Sequence, residues 1–227
     1  MGESDSSVST VKTNIVVRLE DNDLDGICEM ASRQRAVAGI LTRLAYDKTT
    51  LVGWRAILGM GRIARKLVTS DYEFLRIIIR KLLWTLSDES GGIGWSSPEM
   101  LGEIVSADPV KMSDVIPLIA EVYDIEEATF RPGVLYALKR IAETRPASIL
   151  PYRRLALKGM AEPDPLTRLY AIDLLSVLVD VKPLSPDMME VLKNKINDHG
   201  IGWIYRDSGF IYTEVSELAK VVIDKCQ

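Results

Sequence analysis

The strongest constraint on this chain is a short pattern that recurs along it. WRAILGMGRIA (Trp54–Ala64) is echoed by WSSPEMLGEIV (Trp95–Val105), by PGVLYALKRIA (Pro132–Ala142) and, more weakly, by LTRLYAIDLLS (Leu166–Ser176). The starts lie 41, 37 and 34 residues apart, the spacing of a two-helix structural unit. Each copy carries a small residue or Met in its middle (Gly59, Met100, Ala137, Ala171) and an aliphatic residue near its end (Ile63, Ile104, Ile141, Leu175). A single helical hairpin cannot bury its apolar face. Repetition at this period therefore predicts stacking, each copy covering the next.

Local periodicity agrees. In Leu51–Val68 the residues Trp54, Ile57, Met60, Ala64 and Leu67 fall on one helical stripe, with Arg55, Arg62 and Lys66 opposite. Asp71 is placed to cap the next helix, which runs to about Leu86. That helix is apolar nearly all round, which predicts a central position and puts Trp84 in the core. Tyr72–Leu86, Lys111–Tyr123 and Ala147–Met160 read as the A helices that alternate with the repeated B helices. Near the C-terminus, Trp203, Tyr205, Phe210 and Tyr212 alternate with other side chains around Asp207-Ser208-Gly209, a β-hairpin over 200–213. A last helix over about Glu214–Asp224 follows, and the hairpin is expected to cap the open end of the array or to cover a strand edge.

Composition excludes several chemistries. With 47% hydrophobic residues the 227-residue chain has material for a continuous core. The most apolar run, Phe74 to Leu86, is interrupted by Arg76, Arg80 and Lys81, so no membrane span is expected. The start, MGESDSSVST, has neither the basic nor the apolar part of a secretory signal. Two cysteines, Cys28 and Cys226, make no disulfide framework and suit a reducing cytoplasm. The one histidine, His199, has no Cys or His at ligand spacing, so neither a zinc site nor a Ser-His-Asp set is expected. No cofactor motif is present. The net charge of −4 hides a segregation: residues 88–130 carry ten acidic residues against Lys111 alone. A solvated face or contacts between repeats explain this most simply.

The repeated segments resemble HEAT-like repeats of the phycobilisome-lyase type. The string LWTLSDESGGIGWSSPEMLGEI (Leu83–Ile104), with FRPGVLYALKRIA downstream, resembles a family of HEAT-like proteins that share the DESGGIGW loop. The resemblance covers roughly residues 35–225 and brings no activity with it. It implies an all-α fold: a right-handed α-solenoid of helical hairpins, one domain over 1–227 with the first ten residues flexible.

The candidate site is the loop Ser87–Ser97, longer than a simple turn and holding Gly91, Gly92 and Gly94, which let a ligand approach the backbone closely. It leads into a helix opened by Ser97-Pro98 or by the capping box Ser96-x-x-Glu99. Aligning the repeats brings Trp54 and Arg55, Trp95 and Ser96, and Arg131 and Pro132 to one edge. Arg131 at a helix start opposes the macrodipole and needs an offset, from Asp88 or Glu89 or from an external anion. No Lys-Ser/Thr follows the glycines, so this is not a Walker-type loop. Arg62, Glu103 and Arg140 share one repeat position and predict an ion-pair ladder. Glu99 and Glu103 as a carboxylate pair for Ca²⁺ or acid–base work are the weaker alternative.

These residues predict a non-catalytic interaction module for a protein or peptide. Alkylpurine DNA glycosylases also use HEAT-like repeats, which raises nucleic-acid binding as an alternative. The basic stretch Lys48–Lys81 is followed by an acidic repeat, which disfavours it. Resemblance to bilin-lyase repeats raises the handling of a small molecule or tetrapyrrole in an apolar pocket beside Trp95.

Overall fold

The computed structural model describes residues 3–86, 94–206 and 208–226, with side chains from residue 9 onward. The described helices are α1 (Glu3–Glu20), α2 (Leu24–Arg33), α3 (Ala36–Leu44), α4 (Leu51–Ser70), α5 (Tyr72–Trp84), α6 (Ser97–Val105), α7 (Val115–Ile125), α8 (Arg131–Thr144), α9 (Arg154–Met160), α10 (Pro165–Leu178), α11 (Pro186–Asn194) and α12 (Val215–Lys225). Strands β1 (Ile201–Arg206) and β2 (Gly209–Glu214) lie between the last two helices. The fold class is all-α with one small sheet, as the repeats predict.

Many helix starts are written in the sequence. Thr50 accepts from the Gly53 N–H at 3.1 Å, and Asp71 from Phe74 N–H at 3.2 Å as expected. Asp164 accepts from Leu166 and Thr167 N–H at 3.3 and 2.9 Å, with Pro165 in the first helical position. Glu214 and Glu217 form a reciprocal box at the start of α12.

The four repeated segments are α4, α6, α8 and α10, and each packs on the next. Helices α5, α7 and α9 pack in the intervals between them. The centre is α6, every residue of which from Ser97 to Val105 is buried. The expectation for α5 is thereby corrected. It buries one stripe (Leu75, Ile78, Ile79, Leu82), leaves Ile77 partly exposed and leaves Trp84 67% exposed, outside the core. An apolar helix at the outer layer has neighbours on one side only, however apolar its far side. The segment Ala147–Met160 is likewise not one helix: 3₁₀ turns at Pro146–Ser148 and Leu150–Tyr152 precede α9, where Pro146 and Pro151 interrupt the hydrogen-bond pattern. Helix α7 begins at Val115, four residues later than its periodicity suggests.

Strands β1 and β2 pair antiparallel, Trp203 opposite Tyr212 and Tyr205 opposite Phe210. Ser208 takes a left-handed φ of 71° in the connection. The hairpin lies against α10 and reaches back to α4: Trp203 and Phe210 meet the Trp54 ring edge-on at 5.2 and 6.2 Å, and Tyr205 stacks on it at 6.0 Å.

Candidate functional site

The repeats bring the starts of the B helices to one edge, and a cleft of about 510 Å³ opens there, within the usual size of ligand pockets. Its walls come from six places. The turn after α3 supplies Tyr46, Asp47, Lys48 and Thr49; α4 supplies Trp54; the start of α6 supplies Trp95 and Glu99. The approach to α8 supplies Ala128, Thr129 and Pro132, α10 with its cap supplies Asp164, Leu166 and Tyr170, and β1 closes the cleft with Trp203.

Three buried polar atoms on these walls have no hydrogen-bond partner among the described residues: Trp54 Nε1, Glu99 Oε2 and Tyr170 Oη. Trp54 is only 1% exposed, held by the hairpin rings and edge-on to Tyr136 at 5.1 Å. Glu99 is 2% exposed, its Oε1 taking the Lys48 ammonium at 2.7 Å. Lys48 also donates to the Trp95 carbonyl at 2.9 Å. The Glu99 carboxyl can lie this close to α8 only because Gly133 is there: a Cβ on Gly133 would come 2.7 Å from it. Burial pushes the Tyr170 phenol well above its ordinary pKa, and the Glu99 and Asp173 carboxylates push it the same way, so it remains a neutral O–H.

The structure brings some of the residues expected at the site together and separates others. Trp54 and Trp95 both line the cleft. Trp95 is 36% exposed and stacks on Phe130 with ring centres 5.6 Å apart. Arg55 points elsewhere. It is buried and donates to the carbonyls of Leu19 (2.9 Å), Glu20 (2.7 Å) and Ser208 (3.1 Å). The Ser96-x-x-Glu99 capping box does not form: Ser96 Oγ donates to the Ala45 carbonyl, and Glu99 is engaged by Lys48. Ser97 Oγ instead meets Thr85 Oγ1 at 2.8 Å, and Gly94 N–H reaches the Thr85 carbonyl at 3.0 Å. Arg131 finds its offset in Glu162 at 2.6 Å, a residue that repeat alignment did not bring forward. Asp88, Glu89, Gly91 and Gly92 lie outside the described residues.

The ladder is half formed. Arg140 pairs with buried Glu103 at 2.5 Å, and Tyr136 Oη donates to the same carboxylate at 2.6 Å, whereas Arg62 turns to Asp25. Both glutamates of the alternative carboxylate pair are thus engaged by cations. Among the described residues no group of three or more His, Cys, Asp or Glu is placed to hold a metal ion, and no helix is long and apolar enough to cross a membrane.

Sequence reasoning missed Lys48, Asp164, Tyr170 and Trp203 as cleft residues. A signal was present for two of them. Asp47-Lys48 and Asp164 immediately precede B helices, so the alignment that placed Trp54 and Trp95 together also puts these turns on the same edge. Trp203 had no such signal, because the hairpin stands outside the repeat.

No family model matches the chain, and no curated protein matches it either. Among solved structures, the crystal structure of the archaeal HEAT-like repeats protein from Thermococcus onnurineus NA1 is similar, with a TM-score of 0.43 and 13% identity over 95% of this chain and 80% of that one.

Proposed function

We propose that this chain is a binding module that takes a group of a protein or peptide partner into the cleft at the starts of its B helices. The observation that carries the reading is that Trp54, Glu99 and Tyr170, each with a buried polar atom that has no partner among the described residues, all line one aromatic-walled cleft. A buried polar atom without a partner costs about 1–3 kcal/mol, so three in one cleft favour an occupant that supplies the missing partners.

The charges on the walls bear on which occupants fit. Asp47, Glu99 and Asp164 stand against Lys48 alone, so a phosphate or carboxylate would meet a net negative lining. This argues against an anion at this edge. It argues equally against a nucleic-acid backbone and against a tetrapyrrole carrying carboxylates.

The indole ¹⁵N–¹H resonances test the reading directly, since three of the four tryptophans line the cleft and Trp84 does not. In a screen of small amide- and amine-bearing fragments, at least one is expected to shift Trp54, Trp95 and Trp203 saturably and to leave Trp84 in place. Shifts of equal size at all four indoles, or none at Trp54 with any fragment, would overturn it.

A further inference from the structure

Resting on that reading of the cleft, we infer that its occupant is a basic side chain of a peptide segment, a guanidinium or ammonium group with a main-chain carbonyl beside it. Charge complementarity points to the cation. The Lys48 charge is already committed to Glu99 Oε1 at 2.7 Å, and buried Glu99 Oε2 is left without a donor among the described residues. Asp47 and Asp164 pair with no cation among the described residues. Asp47 accepts from the Thr49 hydroxyl at 2.6 Å, and Asp164 from Thr167 N–H at 2.9 Å and its hydroxyl at 2.7 Å. These bonds orient the two carboxylates and leave their charge in place. In a cleft with low-dielectric walls such a field concentrates cations.

The aromatic lining adds to this, because cations are attracted to the faces of Trp and Tyr rings. Trp95, which is 36% exposed, and half-buried Trp203 supply those rings. The carbonyl follows from Trp54, whose Nε1–H is a donor and can be satisfied only by an acceptor. A bare cation has none to offer, whereas a peptide carries a carbonyl within reach of every basic side chain. Tyr170 Oη, a neutral hydroxyl that both donates and accepts, can serve either group.

The test uses N-acetylargininamide and N-acetylnorleucinamide, which share the amide groups and differ in charge, with inorganic phosphate as the anionic probe. Binding is read from tryptophan fluorescence in a Trp84→Phe background, so that only cleft tryptophans report. N-acetylargininamide is expected to give a saturable change, and Glu99→Gln to weaken it about tenfold or more, as loss of a charge-assisted hydrogen bond should. Tyr170→Phe keeps the ring and is expected to weaken it by a smaller factor. Asp47 is exposed at the rim, so Asp47→Asn reads the charge effect without disturbing the core, should Glu99→Gln fail to fold. The same Asp47 effect should fade with added salt.

If the norleucine derivative binds as tightly as the arginine one, or if phosphate displaces the arginine probe, the basic-group inference fails while the cleft stands as a binding site. If no probe changes the fluorescence of the cleft tryptophans, and none of the fragments above shifts the Trp54 indole resonance, the cleft reading itself fails.

Discussion

At the scale of single residues, buried carboxylates decide more than the apolar positions do. Glu103 is 1% exposed and holds Tyr136 Oη and two guanidinium nitrogens of Arg140, at 2.6, 2.5 and 3.2 Å. Burial alone would lower the Arg140 pKa, but the Glu103 hydrogen bonds and charge raise it far above normal, so the pair stays ionised. Removing Glu103 takes the acceptor from buried Tyr136 Oη and leaves Arg140 with Glu143 alone. Glu103→Ala is expected to cost about 3–5 kcal/mol, and Glu103→Gln less, measured by urea unfolding. A loss under about 1 kcal/mol for Glu103→Ala would show that water replaces the carboxylate. Sequence reasoning found this pair because Glu103 and Arg140 hold equivalent repeat positions. It could not exclude Arg62 from the same ladder, since Asp25 stands outside the repeats.

At the scale of elements, close helix packing rests on glycines set against two of the small residues that the repeat alignment singled out, Ala137 and Ala171, and not on Gly59. Gly59, in the small-residue position of the first copy, has ordinary room: a Cβ there would lie 3.5 Å from Ile27. The tight contact is between Gly102 on α6 and Ala137 on α8, where a Cβ would come 2.4 Å from the Ala137 Cα. Backbone cannot give way as a flexible side chain can. Gly102→Ala should therefore separate the two central helices and cost about 1–3 kcal/mol or more in thermal or urea unfolding. Gly39, exposed on α3 with nothing within 4 Å, is the contrast. Gly39→Ala should stabilise the protein by about 0.5–1 kcal/mol through helix propensity alone. The same pair of scans would refute the packing argument if the two changes had similar effects.

At the scale of the molecule, the hairpin and Arg55 join segments distant in sequence. Arg55 on α4 donates to the Leu19 and Glu20 carbonyls at the end of α1, the first of them shared with the Asn22 N–H, and to Ser208 between the strands. Asn22 reaches Ser208 Oγ at 3.0 Å as well. Helix α1, α4 and the hairpin are therefore one hydrogen-bonded unit. Arg55→Met should cost about 1–3 kcal/mol, because it takes the side-chain donor from the Glu20 and Ser208 carbonyls and one of two donors from the buried Leu19 carbonyl. Hydrogen exchange should then speed up in the C-terminal turn of α1 and in the hairpin together, with α7 and α8 unchanged. Acceleration confined to α4 would show that the three segments are not coupled.

Period, capping residues and the alternation around Asp207-Ser208-Gly209 are local properties, and each is complete in a short stretch of chain. For that reason the all-α repeat, the B helices, the cap at Asp71 and the hairpin were legible from the sequence. So was the edge on which Trp54 and Trp95 meet, since equivalent positions of stacked copies must lie side by side. Burial is a different kind of property. It depends on how many neighbours arrive, which is why α6 became the centre and Trp84 stayed outside although α5 carries apolar residues nearly all round. Partner choice among charges is decided the same way: Arg131 took Glu162, Glu99 took Lys48, and Arg55 left the edge for the end of α1. The three orphaned atoms of the cleft exist only because tertiary packing shut Trp54, Glu99 and Tyr170 away from water without giving each a partner.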